Sequence, residues 1–151
     1  MWLLGHDILG NLDCAGANLF LTKYDNTPNS KLMMANLWDF DNIFRMNGNW
    51  SNAHIWGGFY YPSLLSNHNK SFRKAYIEAW DVANPSIFNI VKSYMENFAK
   101  SEEGLSLQAS IEMDNKIWKS GIPSVPESVS IARDWFGNRQ SWLSDAINGL
   151  R

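Results

Sequence analysis

The stretch that decides the fold is residues 9–41, which read LGNLDCAGANLFLTKYDNTPNSKLMMANLWDFD. Within it, two apolar segments, 18–24 (NLFLTKY) and 31–37 (KLMMANL), flank the polar run 25–30 (DNTPNS). Asp, Asn, Pro and Ser favour turns, and short apolar segments on both sides of such a run are typical of paired strands. The sequence therefore predicts a β-hairpin with its turn at 25–30.

The residues before this stretch have the pattern of a helix that is ending. Trp2-Leu3-Leu4 and Ile8-Leu9 are apolar at helical spacing, and Gly10 follows them. Glycine is the residue that most often ends a helix, because it adopts a left-handed conformation without strain. We expect Gly10 to be the helix C-cap, and a chain that opens in mid-helix to be a fragment whose N-terminal part is missing.

The residues after this stretch divide into an irregular loop and a helical region. Residues 39–58 are rich in Asn, Gly and Trp and show no sustained period, which predicts an ordered but irregular loop. A helical period begins after Gly58 and continues to Leu150. The pattern predicts a short helix over 59–66, followed by four longer helices.

Capping signals divide this helical region. Asn84-Pro85 reads as an N-cap followed by proline at the first helical position, and Gly104 as a helix stop. The run 124–127 (SVPE) has the form of a capping box. The tryptophans in these helices are predicted to pack in the core; they are Trp80, Trp118, Trp135 and Trp142.

Composition narrows the class of protein. The chain has 151 residues, of which 45% are hydrophobic and 19% charged, so it can form a globular core. Its formal net charge of −2 argues against broad electrostatic binding to nucleic acid or to an anionic membrane. No run approaches the ~18 apolar residues of a membrane span. The single cysteine, Cys14, excludes an internal disulfide and is predicted to be a small filler, because no adjacent basic residue would activate it.

Together these patterns predict one mainly α domain with a small β-hairpin (α+β), spanning residues 1–151. Residues 1–44 would hold the loops and the hairpin, and residues 59–151 would form a helical bundle.

Polar residues on both sides of the hairpin form the constellation most relevant to chemistry. Asp13 is followed five residues later by Asn18, and the second strand is followed by Trp38-Asp39-Phe40-Asp41. Protein kinases use this order: a catalytic aspartate, a metal-binding asparagine five residues on, a strand pair, and a second metal-binding aspartate. Phosphoryl transfer needs one carboxylate near the acceptor hydroxyl, and amide and carboxylate oxygens to hold Mg²⁺ on the phosphates.

The same residues resemble the spore coat protein H (CotH) kinase family. The resemblance is carried by Leu9-Gly-Asn-Leu-Asp13, by Asn18-Leu-Phe-Leu, by Lys31-Leu and by Leu37-Trp-Asp-Phe-Asp41. That family typically has a G-N-x-D element, an Asn before a strand and a W-D-F-D element after a second strand. The resemblance is close over residues 8–44 and loose over the rest of the chain. It implies the C-terminal lobe of an atypical protein kinase that transfers phosphate from ATP to protein serine or threonine.

The resemblance also implies roles for four residues. Asp13 matches the catalytic aspartate that orients or deprotonates the acceptor hydroxyl, Asn18 and Asp39 match Mg²⁺ ligands, and Asp41 is a second ligand or a hydrogen-bond anchor. The implied cofactors are Mg²⁺ and ATP. The implied partners are a protein substrate and an N-terminal lobe that this chain lacks. The spore coat or the cell surface is indicated by the resemblance alone.

Two departures from the family pattern weaken the expectation of activity. The family usually has Phe-Gly after the W-D-F-D element, whereas here Phe44 is followed by Arg45. No Gly-rich phosphate loop and no strand lysine precede Asp13, so we expect the chain alone to bind nucleotide weakly.

Two other interpretations remain open. Asp13 and Asn18 are alternatively a turn residue and a strand cap, and Asp39 and Asp41 solvated loop carboxylates, in a catalytically silent scaffold. The aromatic loop 39–61, which includes Trp50 and Trp56, would alternatively stack sugar rings in a carbohydrate-binding module.

Overall fold

The computed structural model describes residues 2–11, 13–15, 18–40, 43, 49–52 and 61–151. Within these residues the protein is mainly helical and has one small antiparallel sheet, which confirms the predicted fold class. The elements in chain order are α1 (Trp2–Leu9), β1 (Leu21–Thr22), β2 (Met33–Met34), α2 (Tyr61–Leu64), α3 (Lys70–Ala83), α4 (Ser86–Phe98), α5 (Glu102–Trp118) and α6 (Val125–Asn148). Short 3-10 turns lie at Asp13–Ala15 and Asn49–Ser51.

Helix α1 ends as the sequence predicts, at Gly10. This glycine has a left-handed φ of 69°. Its N–H donates to the carbonyl of Asp7 at 3.2 Å, and the N–H of Asn11 donates to the carbonyl of His6 at 2.9 Å. This pair of bonds is the Schellman arrangement, which satisfies the last carbonyls of a helix. A Cβ at Gly10 would also lie 2.8 Å from the Trp135 ring, so both the backbone and the packing require glycine here.

The hairpin is present, but its strands are shorter than the predicted 18–24 and 31–37. Only Leu21–Thr22 and Met33–Met34 form regular strands, with Leu21 opposite Met34 and Thr22 opposite Met33. The turn is held by Asp25, whose carboxylate accepts from the N–H of Thr27 at 2.9 Å. All four strand residues are exposed, and no third strand is described beside them. The ladder is short because little packing supports it.

Serine and asparagine side chains begin three of the long helices. Asn69 accepts from the N–H of Phe72 at the start of α3, Ser101 from Gly104 at the start of α5, and Ser124 from Glu127 at the start of α6. The predicted N-cap at Ser124, with proline in the first turn, is therefore confirmed.

Three predicted boundaries are wrong or only partly described. Gly104 does not end a helix. It lies in the first turn of α5, where a Cβ would overlap the carbonyl oxygen of Phe98, so its role is a close approach between helices. Asn84 is the C-cap of α3, and Pro85 takes the N-cap position of α4. The helix predicted over 59–66 is present over Tyr61–Leu64, so its predicted end at 66 is wrong; residues 59 and 60 lie outside the described residues.

The core is one hydrophobic cluster that joins α1, α2, α3, α4 and α6. Phe88 and Phe136 are fully buried, and their ring centroids lie 4.5 Å apart. Trp80 and Trp135 are buried as predicted, whereas Trp118 is 75% exposed at the end of α5, so its assignment to the core is wrong. The buried members of the cluster are Leu3, Leu4, Ile8, Tyr61, Leu65, Tyr76, Trp80, Phe88, Trp135, Phe136, Leu143 and Ile147. Within the described part of the chain, no helix combines the length and apolar character needed to cross a bilayer.

Arg139 on α6 is fully buried, which the sequence pattern did not predict. Its Nε donates to the carbonyl of Asp7 at 2.8 Å, and its Nη1 donates to the carbonyl of Trp50 at 2.7 Å and to that of Asn52. The Tyr76 hydroxyl donates to the Asp7 carboxylate at 2.7 Å. Burial lowers the pKa of Arg139 to about 10, so the guanidinium stays charged at neutral pH. The network ties α6 to α1 and to the 49–52 segment.

Replacing Gly10 by alanine should destabilise the fold more than the same change at Gly121. Both glycines have left-handed φ values, 69° and 67°, but a Cβ at Gly121 would meet nothing within 4 Å. Gly121→Ala should cost about 1 kcal/mol for backbone strain. Gly10→Ala should cost about 1–3 kcal/mol more, because the Trp135 ring must also move. Urea denaturation measures both free energies of unfolding, and equal losses would contradict the close approach to Trp135.

Replacing Arg139 by methionine should lower the free energy of unfolding by about 3 kcal/mol or more, because buried carbonyls lose their donors. Arg133→Met is the matched control on the same helix. Arg133 pairs with Glu96 at 3.1 Å, but both side chains are more than 40% exposed, so its loss should cost about 0–1 kcal/mol. Similar losses in the two variants would show that the Arg139 network is not a major source of stability.

Candidate functional site

The structure brings Asn18 and Asp39, the two predicted metal ligands that it describes, into direct contact. The Asn18 Nδ2 donates to Asp39 Oδ2 at 2.8 Å, across 21 positions of sequence. Both residues are partly buried. The hairpin between them causes the contact, because it returns the chain after β2 to the place where it left before β1.

Asp39 has an unusual backbone conformation. Its φ of 58° is left-handed, which is uncommon for a residue other than glycine. Its carbonyl oxygen accepts from Asn11 Nδ2 at 2.7 Å, while its carboxylate accepts from Asn18. The main chain and the side chain of Asp39 are therefore held by two different asparagines. Such strained residues persist where surrounding contacts determine them, and they concentrate at functional sites.

Asp13, the predicted catalytic residue, begins the 3-10 turn next to this pair. Its N–H donates to Asn11 Oδ1 at 3.1 Å, and its carbonyl accepts from the N–H of Asn18 at 3.2 Å. Asp13 is partly buried. Asp13, Asn18 and Asp39 thus belong to one hydrogen-bonded unit, connected through the backbone of Asp13 and the side chains of Asn11 and Asn18.

Asn11 is the member of this unit to which the sequence gave no role. Asn11 lies in the quoted Gly-Asn-Leu-Asp element, two residues before Asp13, and it is fully buried. The signal that marks it is its place directly after a helix-ending glycine, where the chain turns and a short side chain can reach neighbouring loops.

Aromatic rings support the segment that contains Asp39. The Phe40 ring stacks on the buried His6 imidazole, with centroids 5.1 Å apart and planes inclined by 10°. His6 in turn contacts the Trp2 indole at 4.2 Å. On the other side of Asp39, the Trp38 and Phe20 rings form a T-shaped pair with centroids 6.5 Å apart. The residue after Asp39 therefore packs on α1, and the residue before it packs on the hairpin.

The donor set of Asn18 and Asp39 fits a hard divalent cation such as Mg²⁺. The Asn18 amide donates through its nitrogen to Asp39, so its Oδ1 does not take part in that bond. Amide and carboxylate oxygens are the ligands that Mg²⁺ prefers. Asp41, the third predicted ligand, lies outside the described residues, as do Phe44 and Arg45. Among the described residues, no three His, Cys, Asp or Glu side chains are grouped so as to hold a metal.

The aromatic loop is described only in part. Trp50 is partly buried, packs against the core cluster, and gives its carbonyl to Arg139. It is therefore not the solvent-exposed platform that a sugar-binding site would need. Trp56 lies outside the described residues, so its predicted part in carbohydrate binding stays a prediction.

Comparison of the chain with known protein families, with curated proteins and with solved structures finds no match.

The Cys14 thiol should be inert in the folded protein. It is fully buried and donates to the carbonyl of Asn11 at 3.4 Å. Burial raises the pKa of the thiol from 9.0 to about 12, and the nearby Asp7 carboxylate acts in the same direction. Since the thiolate is the reactive form, alkylation by iodoacetamide at pH 8 should be about a hundredfold slower, or more, than in urea-unfolded chain. Mass spectrometry measures both rates, and equal rates would refute the buried position.

Proposed function

We propose that this chain is the C-terminal lobe of a CotH-type atypical protein kinase, which transfers phosphate from ATP to serine or threonine of a protein substrate with Mg²⁺. The observation that carries the proposal is the 2.8 Å contact between Asn18 and Asp39. The resemblance assigned both residues to metal binding from motif positions alone, and two residues that bind one cation must lie side by side, as these two do. A chance similarity of motifs would not require it.

Asn18 and Asp39 are proposed to hold the cation through the amide oxygen of the first and the carboxylate of the second. When bound, Mg²⁺ would neutralise charge on the transferred phosphate. The left-handed backbone of Asp39 supports this role, because its strain is maintained by a hydrogen bond from a fully buried asparagine. Because both the main-chain carbonyl and the carboxylate of Asp39 accept hydrogen bonds, the charge is held in place and need not reorganise.

Asp13 is proposed to accept or orient the proton of the acceptor hydroxyl. Its backbone is tied to Asn11 and Asn18 at 3.1 and 3.2 Å, so its position relative to the metal ligands is set by the loop and not by the substrate. A positioned general base of this kind contributes about 10²–10⁴-fold to a rate.

We propose that this site works together with an N-terminal, nucleotide-binding lobe, either in the same polypeptide or in a separate one. The hairpin next to the site carries several large apolar side chains in solvent, among them Phe20, Leu32, Met33 and Trp38, each at least half exposed. Contiguous exposed apolar residues of this kind mark contact surfaces. Phosphate transfer to a protein substrate is therefore proposed for the two lobes together.

The catalytically silent scaffold is the second interpretation, and it makes a different prediction about cations. In a scaffold, Asn18 and Asp39 would only stabilise the loop, and the chain would bind Mn²⁺ no more tightly through them than through any surface carboxylate.

Asp39→Asn should weaken Mn²⁺ binding by about tenfold or more, because cation affinity depends on the number of charged ligands. Mn²⁺ substitutes for Mg²⁺ and is measured directly by electron paramagnetic resonance. Asp25→Asn is the matched control, since it makes the same charge change on a carboxylate that also accepts a side-chain hydrogen bond, in the exposed hairpin turn. It should leave the Kd for Mn²⁺ unchanged.

Asp13→Asn separates the two proposed roles. It should leave the Kd for Mn²⁺ within about threefold of the parent, because Asp13 is assigned to the acceptor hydroxyl and not to the metal. If Asp39→Asn and Asp25→Asn bind Mn²⁺ equally well, Asp39 is not a metal ligand and the proposed function is wrong.

A further inference from the structure

We infer that Asn11 is the positioning residue of this site: its side chain fixes Asp39 relative to Asp13 and thereby sets the geometry of the metal-binding pair. This inference rests on the proposed function for its effect on metal binding. Its structural part rests on hydrogen bonds alone.

Asn11 uses every polar group it has. Its side-chain Nδ2 donates to the Asp39 carbonyl at 2.7 Å, and its Oδ1 accepts from the Asp13 N–H at 3.1 Å. Its own N–H donates to the carbonyl of His6 at 2.9 Å, and its carbonyl accepts from the Cys14 thiol at 3.4 Å. One residue therefore connects the end of α1, the 3-10 turn and the segment after β2.

Asn11 starts from a rigid base. It follows Gly10 in the Schellman arrangement, so its main chain is fixed to the last turn of α1. From there its side chain reaches 28 positions along the chain to Asp39. Because Asn11 is fully buried, water does not compete for these bonds, and a lost partner leaves a buried polar group unsatisfied.

The bond from Asn11 orients the peptide group that follows Asp39. With that peptide held, Asp39 stays at its left-handed φ of 58°, and its carboxylate lies 2.8 Å from Asn18. Without it, the backbone of Asp39 would relax toward an ordinary conformation, since a left-handed residue other than glycine is strained. The carboxylate would then leave Asn18.

The chemistry of the site favours asparagine over its closest substitutes. The site needs a donor toward the Asp39 carbonyl and an acceptor toward the Asp13 N–H on one short side chain, and the amide of Asn11 supplies both. An ionised aspartate keeps the acceptor and loses the donor. Alanine loses both, and glutamine adds a methylene in a place with no exposed surface.

The test compares Asn11→Asp and Asn11→Ala with Asn115→Ala in the full 151-residue chain. Asn115 is a matched control, because its side chain also bridges two main-chain groups: it accepts from the N–H of Ile122 at 2.9 Å and donates to the carbonyl of Ile122 at 2.8 Å, far along the chain at the end of α5. Two quantities are measured: the Kd for Mn²⁺, and the hydrogen exchange of the Asn18 side-chain amide by NMR.

Asn11→Ala should raise the Kd for Mn²⁺ by about 10–100-fold, the usual effect of losing a group that orients a metal ligand. Asn11→Asp adds a negative charge beside the proposed cation site, so its readout is the exchange of the Asn18 amide. Both variants lose the donor bond to Asp39. They should also speed exchange of the Asn18 amide, because its bond to Asp39 is lost. Asn115→Ala should change neither quantity. Asn11→Asp keeps the shape and the acceptor toward Asp13, so it tests the donor bond to Asp39 most directly.

The outcomes separate the inference from the proposed function. If the parent chain binds Mn²⁺ and Asn11→Ala binds it equally well, the positioning role is overturned while the proposed function stands. If the parent binds Mn²⁺ no better than Asp39→Asn does, the proposed function fails. The exchange rate of the Asn18 amide then tests the positioning role of Asn11 by itself. Unchanged exchange in Asn11→Asp overturns that role, and faster exchange supports it. Loss of the whole fold in both Asn11 variants, with Asn115→Ala native, would also overturn it, because Asn11 would then be a general structural residue.

Discussion

The buried guanidinium of Arg139 is the constraint on which the arrangement of the other elements depends. A charged group removed from water must be surrounded by acceptors, since each such ion costs several kcal/mol to desolvate. Here the acceptors are the carbonyls of Asp7, Trp50 and Asn52, from two segments far apart in sequence. Their convergence on α6 fixes where α1 lies and where the chain passes after the hairpin.

The position of α1 then determines the position of the candidate site. Helix α1 ends where Gly10 turns the chain with a left-handed φ of 69°, and the Trp135 ring leaves no room there for any residue with a Cβ. The turn delivers Asn11 into the interior, where its amide meets both Asp13 and Asp39. The position of the helical core is thus linked to the loop that carries the proposed chemistry through the hydrogen bonds of Asn11.

Local signals predicted those parts of the fold that depend on neighbouring residues. Gly10, Ser124 and the 25–30 turn have the structures that their residue types favour, since caps and turns are decided within a few positions. Gly104 was predicted wrongly as a helix stop, because glycine both ends helices and allows close approach between helices. Its surroundings, and not its propensity, make it a point of close approach to Phe98. Trp118 was assigned to the core together with the other helical tryptophans, but it lies at the end of α5, where its side chain is exposed.

For the candidate site, the sequence by itself determined only which residue types occur and in which order. It determined the mainly α fold with a hairpin, and it selected Asp13, Asn18, Asp39 and Asp41, because motif order and capping are properties of the linear chain. Only the tertiary structure decided that Asn18 contacts Asp39, that Asp39 is left-handed, and that Asn11 and Arg139 are buried. Those facts depend on groups 21 to 132 positions apart, and nothing in local propensity specifies which distant partner will satisfy a buried polar group.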